Sequence, residues 1–299
     1  KLLREKFYNR IMFPIRSLRG IVLAFTARIL PGNNWGPRYM NSPDTPLFHK
    51  KENLFGQYES RQEIRKQDLA ILCEGSTDVI SAHQHGIKNI VAPLGTGVTK
   101  EQLEKLSKLT KNLLFFFDSD DAGKEAMIRA FKIASELKLN PYATNSSPYK
   151  DIDELLQKDP KKMTTLIRDK KEAFFFILGD YLEDKDLNKL EDLDRVRNFI
   201  GSLLFSVKDE DVKKHYKLKA SKITKIDSIS PKEFDSRRRS KNNDQFSIRV
   251  KEADNKIYRE YIQILFLLNS IKKTFLIDEK YITPPRLRLV YTEVLRHYK

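Results

Sequence analysis

Between residues 69 and 158 this chain sets short apolar runs against acids that stop them, and that pattern narrows the possible folds most. "LAILC" (69–73) stops at Glu74-Gly75 and gives way to "STDVISAHQHG", which has helical spacing and a plausible C-cap at Gly86. "NLLFFF" (112–117) stops at Asp118-Ser119-Asp120 and gives way to the amphipathic "AGKEAMIRAFKIASELK". Between these units, "KNIVAP" (88–93) reads as a strand and Leu94-Gly95-Thr96-Gly97 as a turn. Thr99 with Gln102 then forms a capping box that opens "KEQLEKLSKLT". "PYAT" reads as a fourth strand, with Asp151-Ile152-Asp153 beyond it. Alternation of this kind predicts an α/β fold with a largely parallel sheet and helices on its faces.

Open parallel sheets place ligands at the carboxyl ends of their strands. Glu74, Asp118 with Asp120, and Asp151 with Asp153 all fall at such ends, and adjacent strands lie about 4.8 Å apart. These acids are therefore expected to converge on one patch. Packed carboxylates repel and raise one another's pKa, and a divalent cation relieves that repulsion. An all-oxygen donor set suits Mg²⁺ or Mn²⁺. The plainer alternative is helix capping, with Asp78 an exposed first-turn acid and Asp120 or Asp121 a cap. Gly75 and Gly123 fit as places where backbone must approach closely or φ must be positive. The single Cys73 rules out an intramolecular disulfide or a Cys-rich zinc site within this chain.

The flanks differ in charge. Residues 1–68 hold 13 Lys/Arg against 6 Asp/Glu, residues 69–158 hold 11 against 12, and residues 159–299 hold 32 against 23, within a net charge of +15. Basic surfaces of this kind attract phosphates. In residues 1–68, "IMFPIRSLRGIVLAFTARIL" reads as a hairpin and "PGNNWGPRYMNSP" as a loop, the rest being short β patterns and turns. Residues 160–230 read as helical throughout, residues 235–256 as a polar linker containing Arg237-Arg238-Arg239, and residues 257–299 as helical again. No run of 18 apolar residues is present, so no membrane span is expected. The first residue is Lys rather than Met, and the chain is expected to be a fragment of a longer protein.

"EGSTDVISAHQHGIKNIVAPLGTGVTKEQL" with "LLFFFDSDDAGKEAMIRA" resembles the Toprim domain of topoisomerases, primases and some nucleases. The stretch from "NRIMFPIRSLRG" to "PRYMNSPDTPLFHKKENLFGQYE" is similar to the segment that precedes Toprim in bacterial DnaG-type primases. "RVRNFIGSLLFSVKDEDVKKHYKLKASKI" is similar to the helical subdomain that follows it. The family's usual DGD is Asp118-Ser119-Asp120 here, its DPD is Asp151-Ile152-Asp153, and its paired glycine before Arg28 is Thr26-Ala27.

The resemblance implies a partial amino-terminal basic α+β subdomain over 1–68, a Toprim catalytic domain over 69–158, a helical subdomain over 159–234, a linker over 235–256 and the start of a helicase-binding-like domain over 257–299. The resemblance starts after the family's amino-terminal zinc domain, and zinc is not expected in this chain. The implied activity is RNA primer synthesis on single-stranded DNA from ribonucleoside triphosphates, by divalent-metal-assisted nucleotidyl transfer. In that reading Glu74, Asp118 and Asp120 are catalytic and bind Mg²⁺ or Mn²⁺ together with Asp151 and Asp153, while Asp78 is a secondary, orienting residue. Arg28, Arg38, Tyr39, Asn41 and Lys50 would contact nucleic acid or nucleotide. The implied setting is a bacterial cytoplasm at the nucleoid, with a replicative helicase as partner and a monomeric chain. The alternative is a Toprim nuclease or topoisomerase-like strand cutter.

Overall fold

In the computed structural model, residues 5–30, 32, 36–95, 97–226 and 229–231 are described. The chain divides into two units, Lys1–Asp235 and Ser236–Lys299, and every described residue lies in the first. The expected linker with Arg237–Arg239 and the expected helicase-binding-like segment lie outside the described residues.

The hairpin forms as expected. Strand β1 (Arg10–Arg16) pairs antiparallel with β2 (Val22–Ile29). The connection turns at Gly20, whose φ of +91° favours glycine and whose N–H donates to the Ser17 carbonyl (2.9 Å). A third strand, β3 (Tyr39–Asn41), pairs with the other edge of β2 and sets Tyr39 opposite Arg28 and Asn41 opposite Thr26. This corrects the expected loop, because three strand residues beside Gly, Pro and Asn are too few to show a period. A 3-10 turn, Lys50–Glu52, leads into α1 (Gln57–Gln67), a helix where only β patterns and turns were expected. Its sequence, QYESRQEIRKQ, carries one aliphatic residue, the buried Ile64, and so has almost no apolar stripe to read.

The central sheet follows the alternation in the sequence. In chain order come β4 (Ala70–Leu72), α2 (Ser76–Gln84), β5 (Ile90–Val91), α3 (Lys100–Leu106), β6 (Asn112–Phe117), α4 (Asp121–Glu136) and β7 (Asn140–Asn145). The helices α5 (Ile152–Lys158) and α6 (Pro160–Arg168) follow. The strand order is β5-β4-β6-β7-β8, parallel except for β8 (Lys171–Glu172), which pairs antiparallel with β7 at the edge. β8 corrects the expectation of uninterrupted helix after residue 159, since two charged residues give no strand signal. The helices α7 (Ala173–Leu182), α8 (Leu190–Ser206) and α9 (Glu210–Thr224) complete the described part.

Both faces of this sheet are covered, which explains why β6 is apolar without alternation. Leu113, Phe115 and Phe117 pack into one core with α4, α7 and α8, while Leu114 and Phe116 pack into a second core with Val79 of α2 and Leu155 of α5. Ile15 and Ala24 of the hairpin join that second core, so the amino-terminal sheet stands on the α/β layer. That packing fixes β4 and β6 as neighbours and brings Glu74 and Asp118 to the same end of the sheet.

Candidate metal and nucleic-acid site

Glu74, Asp120 and Asp151 stand within electrostatic reach of Asp118, which lies at their centre, whereas the Asp153 carboxylate is not among the charges that act on it. The Asp118 backbone N–H donates to Glu74 Oε1 (3.1 Å), closing the gap between the ends of β4 and β6. Burial, then the charges of Glu74, Asp151 and Asp120, push the Asp118 carboxyl up to about 6. Lys150, next to Asp151, opposes that shift. Glu74 is raised as well, mostly by desolvation against the β6–α4 turn and then by Asp120, although the residue is exposed at the rim. The coupling of these carboxylates is the mutual repulsion expected of an acid patch awaiting a cation.

Asp78 is the most enclosed of the group. Its Oδ2 accepts from Gly75 N–H (3.1 Å) and its Oδ1 from Asp153 N–H (3.3 Å), which links α2 to the start of α5. Burial, with Asp151 and then Asp118 adding repulsion, pushes it to about 7. It is buried rather than the exposed first-turn acid considered in the sequence. Asp120 and Asp151 each cap a helix: Asp120 Oδ1 accepts from Gly123 N–H and Asp151 Oδ1 from Glu154 N–H, both at 2.8 Å. Capping and membership of the acid patch therefore coexist in the same side chains. Asp153 enters the network through its backbone N–H.

The glycines explain the tightness. A Cβ at Gly123 would stand 2.2 Å from the Asp118 carbonyl oxygen and 3.0 Å from Glu74 Oε1. Only a glycine lets the first turn of α4 press against the β6 end. Gly75 adopts an ordinary extended φ of −118°, and its role is close approach, since a Cβ there would meet Asp78 Oδ2 at 2.9 Å. Ile152 occupies the first position of α5, where the family's proline would sit. The N–H at that position has no helical acceptor, so either residue serves. Ser119 is exposed, so a side chain in place of the family's glycine meets no obstacle from burial.

A divalent cation fits this donor set. The donors are all oxygen, and the raised pKa values of Asp118 and Glu74 register negative charge that the protein leaves uncompensated. Among the described residues no three His, Cys, Asp or Glu side chains form a ready-made cage. Mg²⁺ is ordinarily held by one or two carboxylates with waters and substrate phosphates, so a loose acid patch suits it.

The residues of the amino-terminal sheet fall into two groups. Tyr39, Asn41 and Thr26 line a cleft of about 170 Å³ with Glu74, Gly75 and Thr77. Tyr39 Oη lies 3.3 Å from Thr77 Oγ1, and Asn41 Nδ2 donates to the Leu94 carbonyl (3.0 Å), so they strap β3 to the first turn of α2 and to the turn after β5. The guanidinium carbons of Arg28 and Arg38 each stand 5.8 Å from the Tyr39 ring centroid, which puts two cations beside the cleft. Lys50 stands apart from the cleft lining. Its N–H donates to Asp44 Oδ1 (3.0 Å) and its carbonyl accepts from Gln102 Nε2 (3.1 Å), so its backbone is pinned to α3. Thr77, Thr26 and Lys150 were missed in the sequence. The position of Lys150 beside the Asp151 motif was the one available cue.

Residues 1–61 match the family described as DNA primase catalytic core, N-terminal domain, and residues 71–156 match the family described as Toprim-like. A crystal structure of a DNA primase domain from Pseudomonas aeruginosa is 30% identical, superposes with a TM-score of 0.66 and is matched over 74% of this chain and 70% of that one. This chain belongs to the bacterial DnaG-type primase family. The E. coli primase catalytic core, another member, is 28% identical with a TM-score of 0.67 over 74% of this chain and 72% of that one. A DNA primase from Enterococcus faecalis is 38% identical over 208 residues, which make up 67% of this chain and 33% of that primase. The chain thus spans about a third or less of the length of the curated primases it matches first. No helix among the described residues is long and apolar enough to cross a membrane.

Proposed function

We propose that this chain carries the RNA-polymerizing core of a DNA primase and joins ribonucleotides on a single-stranded DNA template. The observation that carries this reading is the coupling of Asp118 to Glu74, Asp120 and Asp151 at the carboxyl ends of adjacent parallel strands, beside a cleft lined by Tyr39 and Asn41. A solved DnaG primase catalytic domain bound to single-stranded DNA, 27% identical with a TM-score of 0.66, supports the same template class.

In this reading Asp118, Glu74 and Asp120 hold Mg²⁺ or Mn²⁺, with Asp151 and Asp153 as further oxygen donors. When bound, such a metal lowers the pKa of an attacking hydroxyl and stabilises charge on a departing pyrophosphate. The protein's own contribution is positional. Asp118 N–H fixes the Glu74 carboxylate, Asp78 holds the Gly75 loop against α5, and Gly123 keeps α4 close. Arg28 and Arg38 attract the phosphates of template or triphosphate, and Tyr39 offers a ring on which a base can stack. We extend the reading to a replicative helicase as partner and to the bacterial cytoplasm as the setting.

The test is template-dependent incorporation of ribonucleotides on single-stranded DNA with Mn²⁺ and no supplied primer. Activity in the wild type and its loss, by a factor of at least about 10², in a folded Asp118→Asn variant are the expected results. Nicking of plasmid DNA without nucleotides, and no incorporation, would favour a strand-cleaving Toprim enzyme instead.

A further inference from the structure

A cavity of about 360 Å³ opens at the other end of the sheet, among the α4–β7 turn, β8 and the first turns of α9. Strand β6 separates the two ends by roughly 17 Å at about 3.3 Å per residue, so this cavity is distinct from the acid patch. Leu139, Pro141, Tyr142, Val207 and Val212 supply apolar wall. Glu172, Asp209 and Asp211 supply three carboxylates, against Lys138 and His215, in a protein whose net charge is +15.

These acids differ in what already occupies them. Asp209 Oδ1 accepts from the N–H groups of Asp211 and Val212 and is committed as the cap of α9. Glu172 receives Lys219 Nζ at 3.2 Å and lies 3.7 Å from His215 Nε2. Asp211 forms no ion pair with a described residue, and its carboxylate stays available.

A second and independent feature points to a ligand. Tyr216 lines the cavity and is only 6% exposed, its ring stacked on Phe174 at 4.5 Å between centroids. No described residue hydrogen-bonds its hydroxyl. Among the described residues that hydroxyl is not a sealed unsatisfied atom either, and the groups that act on it, Glu172 and Tyr142, both line the cavity, so it opens there. A phenol so deeply buried ordinarily finds a partner. Burial and the nearby Glu172 hold this phenol in its neutral form, a hydroxyl that can accept from an N–H donor.

We propose that this cavity binds an organic cation, a guanidinium or ammonium group on a short apolar stem. Asp211 meets the charge, the Tyr216 hydroxyl accepts one N–H, and the Leu139–Pro141 wall takes the stem. The volume suits one arginine-sized group, and the negative lining disfavours polynucleotide, which separates this site from template binding. Such a cation has two sources: a free small amine, or an Arg or Lys side chain presented by a partner protein.

The experiment titrates the whole chain with agmatine and, separately, with the blocked peptide acetyl-Gly-Arg-Gly-amide, by calorimetry at low salt. Saturable one-site binding is expected, weakened at least about tenfold by Asp211→Asn and by Tyr216→Phe, with single-stranded DNA affinity unchanged in both. Agmatine binding as tightly as the peptide would identify a free amine. A peptide at least about tenfold tighter would identify a partner's side chain. Thermal melts of both variants establish that they fold. Absence of saturable binding by either probe, or equal binding by the wild type and both folded variants, would overturn the proposal.

Discussion

Asp118 is held near 6 and Asp78 near 7, and the sign of those shifts determines how the metal-free protein responds to pH. Both values lie above those of the unfolded chain, so the folded state binds protons more tightly between about pH 4 and 7. Stability therefore falls as pH rises through that window and recovers as pH drops. Asp118→Asn removes a repelling charge, and no described residue hydrogen-bonds that carboxylate. The variant is expected to be more stable than the wild type at pH 8 without metal. The gain is about 1 kcal/mol once solvent screening of a half-exposed group is allowed for, or a Tm higher by about 2–4 °C. At pH 4 the two should melt together. Adding Mn²⁺ should raise the Tm of the wild type and not of the variant, which scanning calorimetry checks directly.

Among the elements, the turn from β6 into α4 concentrates the constraint. Gly123→Ala places a methyl group against the Asp118 carbonyl, where backbone must move to admit it. The expected loss is about 1–3 kcal/mol by denaturant unfolding, with weaker Mn²⁺ binding. Asp120→Ala removes the α4 cap and should cost about 1 kcal/mol in the same assay. These elements were legible in the sequence for physical reasons. "NLLFFF" is apolar on both faces because both faces are covered, and acids ended the strands that carry the site. The helix α1 was not legible, because it buries Ile64 almost alone among aliphatic residues and owes its place to tertiary contacts such as Ser60 Oγ donating to the Ile90 carbonyl (2.7 Å). Strand β3 was hidden for a similar reason: its three residues gain their order from β2 and from the straps to Thr77 and Leu94. The acid residues were therefore readable one by one, whereas Thr77, Thr26 and the non-lining position of Lys50 depended on packing that no local pattern records.

Across the described unit, a basic amino-terminal sheet stands beside a near-neutral α/β layer, and Glu74 of that layer shares a cleft with Tyr39 and Asn41 of the sheet. The proposed polymerase needs phosphates held by the first and cations held by the second, both at one place. Replacing Arg28 and Arg38 with Ala is expected to weaken single-stranded DNA binding uniformly across sequences. It should also flatten the dependence of log K on log salt by about 0.7 for each phosphate that is no longer neutralised, measured by fluorescence anisotropy over a salt series. An unchanged slope would place the nucleic acid elsewhere on the molecule. The most direct measurement of the central claim is a Mn²⁺ titration of the wild type and Asp118→Asn at pH 7.5, followed by the electron paramagnetic resonance signal of the free ion. Loss of that signal in the wild type, with affinity at least about tenfold weaker in the folded variant, is the expected result. Equal Mn²⁺ binding by the two proteins would contradict an Asp118-centred metal site.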